Sequence, residues 1–141
     1  MKLFEVLDTP VQFSWTEWGE DYREAKFSSN GINYTVTFTV DEDEDEEGTD
    51  QHEFVLKSES DGKQRTGMTG QGNAAFAFAG LLQVVQAYQM KAHPTEMMYT
   101  LSDNEPSRLK FYNRLGARFQ KMGYDVTTKM EHGVKFWMLR K

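Results

Sequence analysis

The residues with the clearest capacity for chemistry form one short run, Thr66-Gly67-Met68-Thr69-Gly70-Gln71-Gly72-Asn73. Glycines at 67, 70 and 72 free the backbone to turn successive N–H groups into one concavity. The helix-patterned stretch that follows adds the unpaired N–H groups and the positive dipole end of a helix N-terminus. Met68, Thr69, Gly70, Gln71, Gly72, Asn73 and Ala74 would together cradle an anion such as a diphosphate. A plainer reading is that the glycines only let a helix pack close to a sheet. The run is not a P-loop, because the Gly-Lys-Ser/Thr ending is missing and nothing nearby supplies a phosphate-binding lysine or a magnesium site. Cysteine is absent altogether, which removes disulfides, thiolate metal sites and thiol nucleophiles. His52, His93 and His132 are scattered through loops and turns in this reading, so neither a metal cluster nor a Ser/His/Asp triad can be assembled, and no metal is expected.

The glycine run needs a strand before it and a helix after it, and the hydrophobic pattern offers both. Lys2 to Leu7 reads as a short strand, and Asp8-Thr9-Pro10 as a break. An aromatic-rich segment with Phe13, Trp15 and Trp18 follows, its signal mixed. Tyr22 to Ser28 and Ile32 to Val40 flank Asn30-Gly31, and Tyr34, Val36, Phe38 and Val40 alternate with polar residues, which predicts a hairpin. Glu53 to Glu59 reads as a further strand with Asp61-Gly62 as a turn, and Gln64 to Met68 as either another strand or a bulged continuation. From Ala74 to Tyr88 the chain is apolar on nearly every side, the pattern of a helix buried nearly all round, and His93-Pro94 ends it. Glu96 to Leu101 reads as a buried strand. A second helix starts at Pro106, with Asn104 as cap, and carries Leu109, Tyr112, Leu115, Phe119 and Met122 at helical spacing up to Gly123. Tyr124 to Thr128 and Val134 to Leu139 form a last hairpin around Glu131-His132-Gly133. The order predicts one α/β (α+β) domain over residues 1–141, a mixed central sheet with two main helices, the first crossing between two parallel strands.

Element order and loop together resemble the GCN5-related N-acetyltransferase (GNAT) fold, in which a strand, a glycine loop and a helix bind the pyrophosphate of acyl-coenzyme A. The family loop reads Gln/Arg-x-x-Gly-x-Gly/Ala, and Gly67-Met68-Thr69-Gly70-Gln71-Gly72 keeps both glycines with Gly67 in the Gln/Arg place. The strand Met97 to Leu101 and the segment Glu105 to Tyr112 look like the family's fifth strand and fourth helix. The pairing of Thr-Gly-x-Gly-Asn with Pro-Ser-Arg-x-Lys-Phe-Tyr is similar to small GNAT-like proteins encoded by bacteriophages. The resemblance covers roughly residues 22 to 141, and the family's N-terminal helical pair is absent or reduced to Thr9 to Asp21.

The resemblance implies acetyl-CoA as co-substrate and acyl transfer to an amine that the sequence does not name. It implies that Tyr112, in the pattern Tyr-x-x-Leu-Gly, protonates the leaving thiolate, a general-acid role suited to a hydroxyl of pKa about 10. A second register, Phe119-Gln120-Lys121-Met122-Gly123, also fits the helix-ending pattern and places a phenylalanine there, and Tyr112 is equally readable as a rung of the apolar stripe. Glu59, or Glu53 on the same face, would be the general base if not a surface carboxylate. Asn104, Ser107 and Arg108 would lie near the pantetheine or phosphates. The alternative is a GNAT-like phage accessory or host-interaction protein that works by binding a host or virion protein, without turnover.

Charge is strongly segregated along the chain. The net is −6, but residues 1 to 107 carry 7 Lys/Arg against 20 Asp/Glu, and residues 108 to 141 carry 9 against 2. Much of the acidity is the unbroken run Asp41 to Glu47 within a loop at 41–50, either a solvated loop or a polyanion for a basic surface. Lys110, Arg114, Arg118 and Lys121 form a basic stripe opposite the apolar one, readable as a solvated face, a nucleic-acid contact, a phosphate site or a partner for the acidic loop. Overall acidity argues against sequence-independent DNA binding unless the acidic loop stands well away. The first eight residues lack the apolar stretch of a secretion signal, and the uncharged stretch Thr66 to Met90 is too polar to span a bilayer, so a cytoplasmic protein with no membrane partner is expected.

Overall fold

A computed structural model describes residues 11–29, 31–41, 50–60, 63–66, 74–102 and 106–141. The expected strand at 2–7, residues 42–47 of the acidic run, the Asp61-Gly62 turn and residues 67–73 of the glycine run lie outside them. In chain order the elements are β1 (Phe13–Trp18), β2 (Tyr22–Ser29), β3 (Ile32–Asp41), β4 (Gln51–Ser60), β5 (Lys63–Thr66), α1 (Ala74–Ala92), β6 (Glu96–Leu101), α2 (Pro106–Lys121), β7 (Asp125–Glu131) and β8 (Val134–Arg140). The strands form one mixed sheet in the order β1-β2-β3-β4-β6-β8-β7, with β5 paired to β4. β4 and β6 run parallel over three rungs, Gln51↔Glu96, His52↔Met97 and Glu53↔Met98, the direction a helical crossover imposes. Contacts divide the chain into two compact units, residues 1–38 with 55–93, and residues 39–54 with 94–141.

In the first unit, period-two patterning sorts the strands. Ala25 and Phe27 of β2 and Tyr34, Val36 and Phe38 of β3 are buried, while Lys26, Ser28 and Asn33 are exposed. α1 seats on the buried face. Its Gly80 lies so close to the Phe27 ring that a Cβ there would fall 2.2 Å from Cε2, so a residue without a side chain sets this approach. Tyr88 stacks on Phe38 with centroids 3.8 Å apart. The helix is buried from Ala77 to Leu82 and again at Val84, Val85 and Tyr88, with Gln86 and Met90 left exposed. It ends at His93, whose φ of 50° is left-handed and whose N–H donates to the Gln89 carbonyl at 3.0 Å, just ahead of Pro94. The aromatic-rich segment is strand β1, paired antiparallel with β2. A register shift between Trp15 and Glu17 breaks its alternation, which is why the sequence signal is mixed. Among the described residues no helix precedes β2.

In the second unit, Met97, Tyr99 and Leu101 of β6, Trp137 and Leu139 of β8 and Phe111, Tyr112, Leu115 and Phe119 of α2 are buried, with the Tyr112 ring against Tyr99 and Trp137 and the Phe119 ring against Tyr99. Tyr99 and Trp137 stack at 5.0 Å across their shared rung. Glu96 is 2% exposed, yet both carboxylate oxygens are satisfied: Arg140 Nε donates to one at 2.7 Å and Gln51 Nε2 to the other at 2.9 Å. α2 closes in a left-handed turn at Gly123 (φ 98°), where the Tyr124 N–H donates back to the Phe119 carbonyl at 3.0 Å. His132 and Gly133, both at positive φ, form the two-residue turn between β7 and β8, closed by the Glu131↔Val134 rung.

Candidate functional site

Of the residues singled out for chemistry, Ala74 opens α1, Ser107, Arg108 and Tyr112 lie in the first two turns of α2, and Glu53 and Glu59 lie on β4. Met68, Thr69, Gly70, Gln71, Gly72 and Asn73 lie outside the described residues. α1 begins at Ala74, immediately after them, and no acidic side chain stands in its first turn to oppose an anion at the positive end of the dipole. The preceding strand, uncertain from sequence alone, is β5, whose residues Lys63 to Thr66 pair antiparallel with Ser60 to Lys57 of β4.

Tyr112 sits in the second turn of α2 and is 6% exposed. Its ring meets Tyr99 edge-on at 5.5 Å and Trp137 at 5.7 Å, and its carbonyl accepts a hydrogen bond from the Tyr99 hydroxyl at 2.9 Å. Burial, with the Tyr112 hydroxyl nearby, pushes the Tyr99 pKa far above that of a free phenol, so Tyr99 remains a hydrogen-bond donor. Gly116 lets Trp137 and Tyr99 approach: a Cβ there would lie 3.2 Å from each. α2 runs on through Gly116 and ends at Gly123, so the helix-ending position is that of the Phe119 register. Ser107 is exposed and Arg108 partly buried in the first turn of α2, while Asn104 lies outside the described residues.

Strand β4 carries the candidate bases. His52, Phe54, Leu56 and Ser58 are buried, and Glu53, Val55 and Lys57 on the alternate face are half-buried. Glu59 is the rung opposite Gln64, its side chain outside the described set. Burial pushes the Glu53 carboxyl above the usual carboxylate range. Glu53 lines a cavity of about 310 Å³ with Thr39, Val40, Asp41, Gln51 and Met98. His52 is a buried residue of β4, where the sequence reading put it in a loop: the strand starts at Gln51, two residues before the alternation of Phe54 and Leu56 becomes visible. Among the described residues no three His, Asp or Glu side chains gather as a metal site, and no helix is long and apolar enough to cross a membrane.

Sequence reasoning missed a second concavity, about 680 Å³, in the first unit. Phe13, Ser14, Lys26, Ser28, Asn33 and Tyr34 are among its lining residues. Three strands contribute to it, and no local motif marks it.

No known family model matches the sequence, and no curated protein matches it. The structure is similar to the GNAT domain of S. lividans PAT, with a TM-score of 0.51 and 16% identity over 86% of this chain and 61% of that one. The chain thus spans less than two thirds of that protein's length. FeeM, an N-acyl amino acid synthase from uncultured soil microbes, matches with a TM-score of 0.46 and 17% identity over 86% of this chain and 72% of that one. The mixed sheet with its two helices is a GNAT-like fold.

Proposed function

We propose that the chain is an acyl-CoA-dependent N-acyltransferase that moves an acetyl group from acetyl-CoA to an amine. The observation that carries this reading is the start of α1 at Ala74, directly after Gly70-Gln71-Gly72-Asn73, inside a GNAT-like order of strands and with no acid in the first turn. In this reading Met68 to Ala74 hold the diphosphate through backbone N–H groups, and Asn104, Ser107 and Arg108 hold the pantetheine or the remaining phosphate. The amine nitrogen attacks the thioester carbonyl carbon, the N–C bond forms as the C–S bond breaks, and the thiolate takes a proton from the Tyr112 hydroxyl. The amine proton passes to Glu59 or to Glu53, whose raised pKa suits a base working nearer neutral pH.

A second reading, a GNAT-like module that binds a host or virion protein without turnover, draws on a separate observation. Tyr112 is 6% exposed within an aromatic cluster, and α2 ends in the register that places Phe119 at the acid position. One experiment separates the two. Because the chain has no cysteine, any thiol released from acetyl-CoA in the presence of a polyamine acceptor comes from the donor. Turnover that Tyr112→Phe lowers by about 10²-fold or more supports the first reading. No thiol release for any amine tried, with a melting curve that millimolar acetyl-CoA leaves unchanged, supports the second.

A further inference from the structure

β7 closes one end of the sheet order, and among the described residues no strand pairs with its outer side. It is seven residues long, Asp125–Glu131, contains no proline, and pairs with β8 on every rung from Asp125↔Arg140 to Glu131↔Val134 without a bulge. An edge of that length and regularity offers a row of backbone N–H and C=O groups for a further strand. The strand at the other end of the order, β1, is interrupted by its register shift between Trp15 and Glu17. Val126 of β7 is half-buried and the other six residues are exposed. Asp125 has no ion pair among the described residues. Lys129 meets Glu131 of its own strand at 3.4 Å, with both side chains about half exposed, a contact worth little in water.

The placement of charge along β7 selects what pairs with it. A second copy added antiparallel about a two-fold axis continues the sheet, and residues set directly opposite share a face of the pleat, so the axis passes through a residue. An axis on Thr128 pairs the whole strand but opposes Asp125 to Glu131 at both ends, and an axis on Lys129 opposes the two ammonium groups. An axis on Val126 engages residues 125–127 alone. An axis on Thr127 pairs residues 125–129: Asp125 meets Lys129 on both sides, Val126 meets Thr128, and Thr127 meets itself. Opposite charges and Thr–Thr pairs set across a ladder stabilise it. Met130, 66% exposed, is the large apolar side chain that the second unit leaves in water among the described residues. In this register it falls just past the ladder, opposite Tyr124 of the second copy, where a thioether meets an aromatic ring. We propose that the chain pairs with a second copy of itself along β7, antiparallel and centred on Thr127, so that one sheet runs through two molecules. An arbitrary foreign strand would match the backbone groups but not this charge spacing, which a second copy satisfies at both ends. The pairing does not depend on acyl transfer, in which no residue of β7 has a role. A five-rung ladder is a small interface, so the association is weak and grows in with concentration.

The test is sedimentation velocity on the full chain over rising concentration, with dimer expected to dominate by about 1 mM. Asp125→Lys and Lys129→Asp, both at exposed positions, each exchange two attractions for two repulsions and should weaken the dimer by about tenfold or more while keeping the wild-type melting curve. Mixed in equal amounts, the two variants bring opposite charges together at both ends and should dimerise about as well as the wild type. The chain has no cysteine, so Thr127→Cys, on the axis, should form an intermolecular disulfide under mild oxidation about tenfold faster than Thr128→Cys, which faces Val126. The cross-link reads the register even where a charge variant melts early. A chain that stays monomeric at about 1 mM overturns the proposal. So does a dimer that both charge variants leave intact, a mixture of the two that fails to restore it, or faster cross-linking through position 128.

Discussion

The two helices among the described residues do the same architectural task, each carrying the chain from one strand to another, with opposite use of their residues. α1 holds a single charge, Lys91, in nineteen positions and is buried on almost every side. Whatever chemistry belongs to it must come from its backbone end, where glycines precede Ala74 and no acid follows. α2 divides its surface between an aromatic seat and a row of cations, so whatever chemistry belongs to it must come from side chains. The comparison teaches that a helix can serve a site either through its terminus, which frees its sides for packing, or through its faces, which then cannot all be buried.

The largest expected effect strikes the seat of α2. Phe119→Ala removes a fully buried ring that meets Phe54, Tyr99 and Tyr124, and should cost about 3–5 kcal/mol, lowering Tm by roughly 10–15 °C in a circular-dichroism melt. On α1 the corresponding break is an addition. Gly80→Ala drives a Cβ into the Phe27 ring and should cost about 1–3 kcal/mol, whereas a neutral result would show that α1 shifts freely on β2. Tyr99→Phe removes the hydrogen bond to the Tyr112 carbonyl and should cost about 1 kcal/mol by the same assay.

The smallest effect is one of sign. The folded chain holds the Glu53 proton to higher pH than the unfolded chain, so the stability associated with this group falls as pH rises from the ordinary carboxylate range through its raised folded value. Glu53→Gln should therefore raise Tm at pH 7, with the gain vanishing below about pH 4. A gain of equal size at both pH values would assign the effect to packing.

Much of the fold was legible because it rests on local rules. The Asn30-Gly31 and His132-Gly133 signals, the alternation of Tyr34, Val36 and Phe38, and the change to an apolar helix at Ala74 each specify an element on their own. β1 was obscured because its bulge near Trp15 resets the alternation and leaves Trp18 38% exposed. The burial of His52 could not be foreseen, nor could the partners that make Glu96 tolerable inside its buried strand, since Arg140 and Gln51 arrive from other strands. At the candidate site, residue types were legible and surroundings were not. The stripe of Leu109, Tyr112, Leu115 and Phe119 indicates a face of α2, but that Tyr99 and Trp137 close over Tyr112 depends on the β6–β8 rungs.

Calorimetric titration of acetyl-CoA into the wild-type chain and into Gly72→Asp tests the proposed anion cradle most directly. Binding of the wild type in the micromolar range, with the heat lost when a carboxylate is placed among the amides ahead of α1, is the predicted result. No heat at millimolar acetyl-CoA, or equal binding by both chains, would contradict it.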